Sequence, residues 1–71
     1  MSEYRKWINA LKFEGIQYDA FINDDGDMVV RIDYSDGDYH ETIFNGVGKS
    51  IADIYVIDGE MFTFGEASIH A

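Results

Sequence analysis

The sequence predicts an α+β fold in which one N-terminal helix packs on a four- to five-stranded antiparallel sheet of meander order. Two observations carry this prediction. Apolar residues recur with helical spacing as far as Gly15 and with the alternating spacing of strands after it. Three Asp-Gly pairs then separate the apolar runs, and Asp-Gly is a strong signal for a hairpin turn. The 71 residues contain no proline and no cysteine, and we expect a single domain, 1–71.

The helix is predicted between Ser2, a favourable N-cap, and Gly15, a favourable stop. Arg5 and Lys6 lie off its apolar stripe and face away from the core. Phe13 also lies off the stripe, so we expect it to be an exposed contact. The stripe itself follows the i, i+3, i+4, i+7 pattern and consists of Tyr4, Trp7, Ile8 and Leu11.

The first hairpin is predicted to have a three-residue loop, 24–26, with glycine at the left-handed position. This register pairs Ala20 with Val30 on the apolar face and sets Asp19 opposite Arg31 as an ion pair on the other face. A two-residue loop would turn Arg31 toward the apolar face, so we reject it.

For the second hairpin, a two-residue turn at 36–37 is predicted. This register places Val29 against Phe44 and Asp33 against His40, both on the face away from the helix. That face would then carry Asp19, Asp33 and Asp53 around an apolar strip of Phe21, Val29 and Phe44.

One alternative for the second hairpin stays open. The favoured register turns Glu41 inward beside Ile32, which is unfavourable for a carboxylate. A shift by one residue would pair Arg31 with Glu41, but it would set Ile32 against His40.

The rest of the chain is predicted to form a flexible connection, 46–50, and a last pair of strands, 51–57 and 60–64. A three-residue loop between these strands sets Ile54 beside Phe62 and Ala52 beside Phe64. The tail from Gly65 onward carries no firm structural signal.

The charges of the chain are segregated. Residues 1–12 hold three basic residues against Glu3, whereas the rest holds thirteen acids against Arg31 and Lys49. The whole chain has a net charge of -9. Such a field repels nucleic acid and attracts the proteins that bind nucleic acid. The partner is therefore expected to be basic, with no direct binding to nucleic acid.

Other chemistries fit the sequence poorly. Aligning either of the first two Asp-Gly turns with a calcium-binding EF-hand loop puts apolar residues at both end positions of the loop. His40 and His70 lack the spacing of a zinc site. The run 46–50 ends like a phosphate-binding loop, but Ile43 stands where that motif needs its first glycine. We expect neither an enzyme nor a cofactor.

Acidic side chains that alternate along neighbouring strands would form a lattice of phosphate-like density. An acidic sheet with DDGD and SDGD turns and a cap-ready first helix resembles the small acidic DNA-mimic inhibitors of bacteriophages. In size and charge the chain is most similar to those that Bacillus phages make early in infection against the nucleoid protein HU. The resemblance implies a basic host partner, HU first, and an infected cytoplasm as the setting.

The partner-binding residues follow from the predicted sheet and its turns. They are Asp24, Asp25, Asp27, Asp36, Asp38, Asp19, Asp33, Asp53, Asp58 and Glu60. Because eleven aromatic residues exceed what so small a core encloses, we also predict a homodimer. The predicted dimer or partner contacts are Phe13, Phe21, Val29 and Phe44.

Two other functions remain open for this sequence. One is an anti-CRISPR protein or RNA polymerase inhibitor that blocks a nucleic-acid channel. The other is a divalent-cation-binding or structural assembly module. No apolar run approaches the roughly 20 residues of a membrane span, and the first ten residues lack the apolar core of a signal peptide. These features favour a cytoplasmic protein.

Overall fold

The computed structural model describes residues 1–65 and has the predicted α+β fold. One helix is followed by five strands in meander order, and each neighbouring pair is antiparallel. The elements are α1 (Glu3–Glu14), β1 (Asp19–Ile22), β2 (Met28–Asp33), β3 (Tyr39–Phe44), β4 (Ser50–Ile57) and β5 (Glu60–Gly65).

The helix begins and ends where the sequence predicts. The Ser2 side chain accepts a hydrogen bond from the backbone N–H of Arg5, and Gly15 closes the helix in the left-handed conformation, with φ 72. Buried Ile8 and Leu11 face the sheet. The core they form includes Val30, Ile32 and Phe44, with Tyr4, Trp7, Tyr18 and Met28 packed around it.

The start of α1 is attached to the turn between β3 and β4. The backbone N–H of Tyr4 donates to the carbonyl of Gly48 at 2.8 Å, and the N–H of Ser50 donates to the Glu3 carboxylate at 3.0 Å. Gly48 lies so close to the helix that a Cβ atom there would be 2.6 Å from the Cβ of Ser2. This contact fixes where the helix crosses the sheet.

The first and third hairpin turns have the same construction. In residues 23–27 and 45–49, an asparagine side-chain oxygen accepts two backbone N–H groups of its own loop. Gly26 and Gly48 occupy the fourth position of their turns, both with φ 83. The first turn confirms the predicted three-residue loop and its register, with Ala20 opposite Val30. The predicted flexible connection is instead a defined turn.

The predicted register of the second hairpin is wrong by one residue, and the alternative register is the one observed. Its loop is Ser35–Gly37, closed by the N–H of Tyr34 donating to the carbonyl of Asp38 at 2.8 Å. Asp36 supplies the extra loop residue by adopting φ 64, a conformation that aspartate tolerates better than most residues. Ile32 therefore pairs with His40.

The last hairpin is also shifted by one residue, in the opposite sense. Asp58 and Gly59 both have positive φ, which makes a two-residue turn of type I′ rather than the predicted three-residue loop. Ile54 consequently pairs with Thr63, and Asp53 pairs with Phe64. Asp53 lies on the helix side of the sheet, not on the opposite face as predicted.

We expect a Gly48→Ala variant to lose more stability than a Gly26→Ala variant, although the two turns are alike. Both substitutions put alanine at φ 83, which costs about 1–2 kcal/mol. At Gly26 nothing lies within 4 Å of the added methyl, whereas at Gly48 the methyl meets Ser2. The clash adds about 1–3 kcal/mol to the loss in unfolding free energy, measured by urea denaturation. Equal losses in the two variants would show that helix docking does not depend on this contact.

Candidate partner-binding surfaces

The meander separates nine of the ten predicted acidic residues into two groups at opposite ends of the sheet, and the tenth, Asp53, lies between them in the middle of β4. The β1–β2 and β3–β4 turns lie at one end, and the β2–β3 and β4–β5 turns lie at the other. The backbone N–H of Asp58 donates to the Asp38 carboxylate at 3.1 Å, which joins the two turns of the second end. We call that end the acidic edge, and its acids are Asp19, Asp33, Asp36, Asp38, Asp58 and Glu60.

The opposite end has a mixed charge. It holds Asp24, Asp25 and Asp27, but the neighbouring turn carries Lys49, and the helix that begins there carries Arg5. The predicted set of turn acids is therefore not one continuous surface. Only the acidic edge concentrates negative charge.

Arg31 does not form the predicted ion pair with Asp19, although the two residues are opposite each other. Its guanidinium binds Asp33 at 3.1 Å and Glu41 at 3.4 Å, and it lies 3.8 Å from the centre of the Tyr39 ring. The hydrogen bond to Asp33 raises the pKa of Arg31 above its ordinary value, so the cation is firmly held. Of the six edge acids, Asp33 alone has an ion pair within residues 1–65.

A polar network crosses the helix side of the sheet between β3 and β4. His40 and Thr42 are buried, and both contact Asp53 Oδ1, at 2.9 Å from His40 Nε2 and 3.0 Å from Thr42 Oγ1. Buried polar groups need such partners, since an unpaired one costs about 1–3 kcal/mol. The predicted contact of His40 with Asp33 is wrong because the register places them on opposite faces.

This network orients Asp53 rather than activating Thr42. His40 Nε2 lies 2.9 Å from Asp53 Oδ1 and donates to it in any form of the ring that carries a proton on Nε2. The Thr42 hydroxyl donates to the same carboxylate oxygen, so its proton is not directed at a basic nitrogen. The second carboxylate oxygen of Asp53 has no hydrogen-bond partner among the described residues.

Beyond the network, several large side chains on the helix side of β4 and β5 are exposed. Three cross-strand pairs lie there: Asp53 with Phe64, Tyr55 with Phe62, and Ile57 with Glu60. We call these six residues the β4–β5 face. Phe62 is 42% exposed and Phe64 is 56% exposed. A surface of this kind commonly marks a contact site.

The rings of the β4–β5 face are held by stacking. Tyr55 lies parallel to His40 at a centroid distance of 4.1 Å, and Phe64 meets Tyr55 edge to face at 5.8 Å. Burial raises the pKa of the Tyr55 phenol, and the negative charge of Asp53 raises it further. Tyr55 therefore stays protonated and neutral beside the carboxylate.

The β4–β5 face forms a shallow depression, and a separate depression of about 450 Å³ lies between α1 and β4. Its lining includes Lys6, Trp7 and Asp53. The Trp7 Nε1 atom is buried and has no hydrogen-bond partner in the described part of the chain. Asp53 lines both this depression and that of the β4–β5 face, so it stands at the border between them.

Of the four residues predicted as dimer or partner contacts, two are exposed and two are buried within residues 1–65. Phe13 is 89% exposed and Phe21 is 43% exposed. Val29 and Phe44 are buried, and Phe44 belongs to the core because the one-residue shift turns it toward the helix. Sequence reasoning missed the exposed rings of β5, although their alternation in 60–64 was visible.

Residues 1–65 contain no group of three or more side chains arranged to hold a metal ion, and His70 lies outside the described residues. In the same range, α1 is too short and too polar to cross a membrane. Comparison with known protein families, curated proteins and solved structures finds no match to this chain. The function therefore has to be argued from the surfaces themselves.

We expect a Tyr55→Phe variant to lose less stability at alkaline pH than the parent chain. The folded pKa of Tyr55 is raised, so its contribution is complete below the ordinary value of 10.0 and is lost as pH rises through the folded pKa. Urea denaturation at a series of pH values from neutral to well above 10.0 measures this difference. Parallel stability profiles for the two proteins would contradict it.

Proposed function

We propose that the protein is an acidic DNA mimic that occupies the nucleic-acid-binding surface of a basic host protein. The acidic edge is the observation that carries this proposal. Its six carboxylates lie across five strands, and strands about 4.8 Å apart make the edge about 19 Å long. Because Arg31 pairs with Asp33, five charges remain, roughly one per 4 Å, which is close to the roughly 3.4 Å per charge along one DNA strand.

The rest of the molecule supports this use of the edge. Arg31 neutralises Asp33 and Glu41 but leaves the other edge acids without a cation among the described residues. The chain has few basic residues to shield them, since its net charge is -9. The contacts between these exposed carboxylates and a basic protein are screened by salt, so the protein is expected to bind its partner, and to compete with nucleic acid, less well as salt rises.

The nucleoid protein HU is our first candidate for the partner. It is the target that the resemblance to phage DNA mimics implies, and it places the protein in the cytoplasm of an infected cell. A CRISPR effector or an RNA polymerase, whose channel binds nucleic acid, would recognise the same edge. The target, rather than the mechanism, distinguishes these cases.

We expect the protein to release DNA from HU in a gel-shift titration at low salt, with weaker release as salt rises. The triple variant Asp36→Asn, Asp38→Asn, Asp58→Asn should release DNA at least about tenfold less effectively. Three exposed charge contacts at roughly 0.5–1 kcal/mol each account for that loss. Asparagine keeps the side-chain oxygen that accepts the N–H of Asp58, and it tolerates the positive φ at 36 and 58.

The matched control is Asp24→Asn, Asp25→Asn, Asp27→Asn, which removes the same charge from the other end. It should lose much less activity than the edge variant. Equal losses would show that total charge acts, not the edge. If the parent chain releases no DNA from HU at low salt, HU is not the target, and competition with a nucleic-acid effector or polymerase tests the alternative.

We also propose that the protein is a homodimer, because Phe13 and Phe21 remain exposed outside the core. The predicted particle has about twice the monomer mass of 8.1 kDa. Light scattering coupled to size exclusion measures this mass directly. A single species at the monomer mass across the accessible concentrations would contradict the dimer.

A further inference from the structure

The β4–β5 face combines an apolar floor with two separated carboxylates. All of its residues except Glu60 line a depression of about 590 Å³, within the range of about 300–1,000 Å³ typical of binding sites, and Glu60 lies beside it on the same face. Asp53 and Glu60 stand at diagonal corners of the three cross-strand pairs. Between them lie the side chains of Tyr55, Ile57, Phe62 and Phe64.

The two corner carboxylates are separated by a distance that an extended peptide matches. Asp53 and Ile57 are four residues apart on β4, and Ile57 pairs with Glu60. At about 3.3 Å per residue, the corners lie about 13 Å apart along the strand direction. Two side chains four positions apart on an extended segment span the same distance and point to the same side.

Asp53 is prepared to accept a charged hydrogen bond. Its Oδ1 atom is fixed by His40 and Thr42, while its other oxygen has no partner among the described residues. The carboxylate is already oriented, so a guanidinium that binds it loses less entropy in the contact. The neighbouring ring of Phe64, paired with Asp53 across the strands, offers a flat surface to the same cation.

The opposite face of the same sheet shows this chemistry in use. There, the guanidinium of Arg31 lies 3.8 Å from the centre of the Tyr39 ring and is held by Asp33 and Glu41. A ring beside a carboxylate thus holds an arginine in this fold. The β4–β5 face presents the same two groups, and no lysine or arginine within residues 1–65 forms an ion pair with its carboxylates.

Charge complementarity selects the occupant of this face. A second copy of the chain carries the same net charge of -9, and if it packed through the same face it would bring a second Asp53 and a second Glu60 into the contact. Like charges brought together in an interface are unfavourable. A basic segment has the complementary sign and can also cover the exposed rings.

We propose that the β4–β5 face binds an extended basic segment of the partner protein. Two arginines four residues apart reach Asp53 and Glu60, and an apolar residue between them packs on Tyr55 and Phe62. This inference rests on the proposed function. It identifies the segment of the basic partner that the β4–β5 face binds while the acidic edge occupies the nucleic-acid-binding surface.

The test is an NMR titration of the full chain with the blocked pentapeptide RSLSR and with its isomer RRSLS. The two have equal charge and composition, but only the first spaces its arginines four residues apart. We expect shifts centred on the β4–β5 face and an affinity for RSLSR about fivefold above that for RRSLS, since one exposed charge contact is worth up to about 1 kcal/mol. Equal affinities, or shifts confined to the acidic edge, would overturn the proposal.

A double variant, Asp53→Asn with Phe64→Ala, separates this inference from the proposed function, because neither residue belongs to the acidic edge. Its preference for RSLSR should disappear, while the Asp24→Asn, Asp25→Asn control keeps it. Asparagine at 53 retains an oxygen for Thr42 and His40, and the amide spectrum of the free variant verifies the fold.

If the folded double variant still prefers RSLSR to RRSLS, the β4–β5 face is not the binding site. This result would leave the proposed function intact if the acidic edge still competes with DNA for HU. Concentration-dependent shifts on the face without peptide would assign it to a second copy instead.

Discussion

The structure depends on one geometric constraint, which is that a single short helix cannot cover a five-stranded sheet. A helix of 12 residues is about 18 Å long and about 10 Å wide, whereas the sheet is about 19 Å across between its outer strands. The contact with Gly48 fixes α1 over one part of the sheet, where its buried residues pack on β2 and β3. The core cluster beneath the helix is formed by α1, β2 and β3, whereas Ile57, Phe62 and Phe64 of β4 and β5 remain exposed on the same face. The exposed rings there are a consequence of this mismatch.

The meander then determines how charge is distributed. Alternate turns of an antiparallel meander fall at opposite ends of the sheet. The acids in the turns of this chain are therefore divided between the two ends. The twin asparagine turns at 23–27 and 45–49 share a geometry but carry different charges, acids in the first and Lys49 in the second. Because the helix also starts at that end, the cations of its first turn, Arg5 and Lys6, join them. The acidic edge is therefore defined as much by where the basic residues lie as by its own carboxylates.

The sequence was sufficient to predict the helix, its caps, the meander and the first hairpin, since each depends on local signals. It was insufficient for the β2–β3 and β4–β5 hairpins, because an Asp-Gly pair fits both a two-residue turn and a three-residue loop. Asp36 and Asp58 each adopt positive φ, yet the first lies in a three-residue loop and the second in a two-residue turn. Local propensity does not separate these outcomes. The surface acids were predicted individually, but their grouping required the registers and the side of the sheet that each strand presents.

The observed registers place three polar side chains of β3 and β4 on the helix side of the sheet. His40, Thr42 and Asp53 all lie there, each satisfied by the others. This trio lies at the margin of the area that the helix covers, where the β4–β5 face begins. Purely apolar residues at this margin would leave still more hydrophobic surface exposed. The network joins β3 to β4 and holds Asp53 in one orientation at the rim of the exposed rings. The residues that break the simple inside-outside pattern are thus the ones that give the open face a fixed, charged corner, as expected when a local rule is violated at a functional surface.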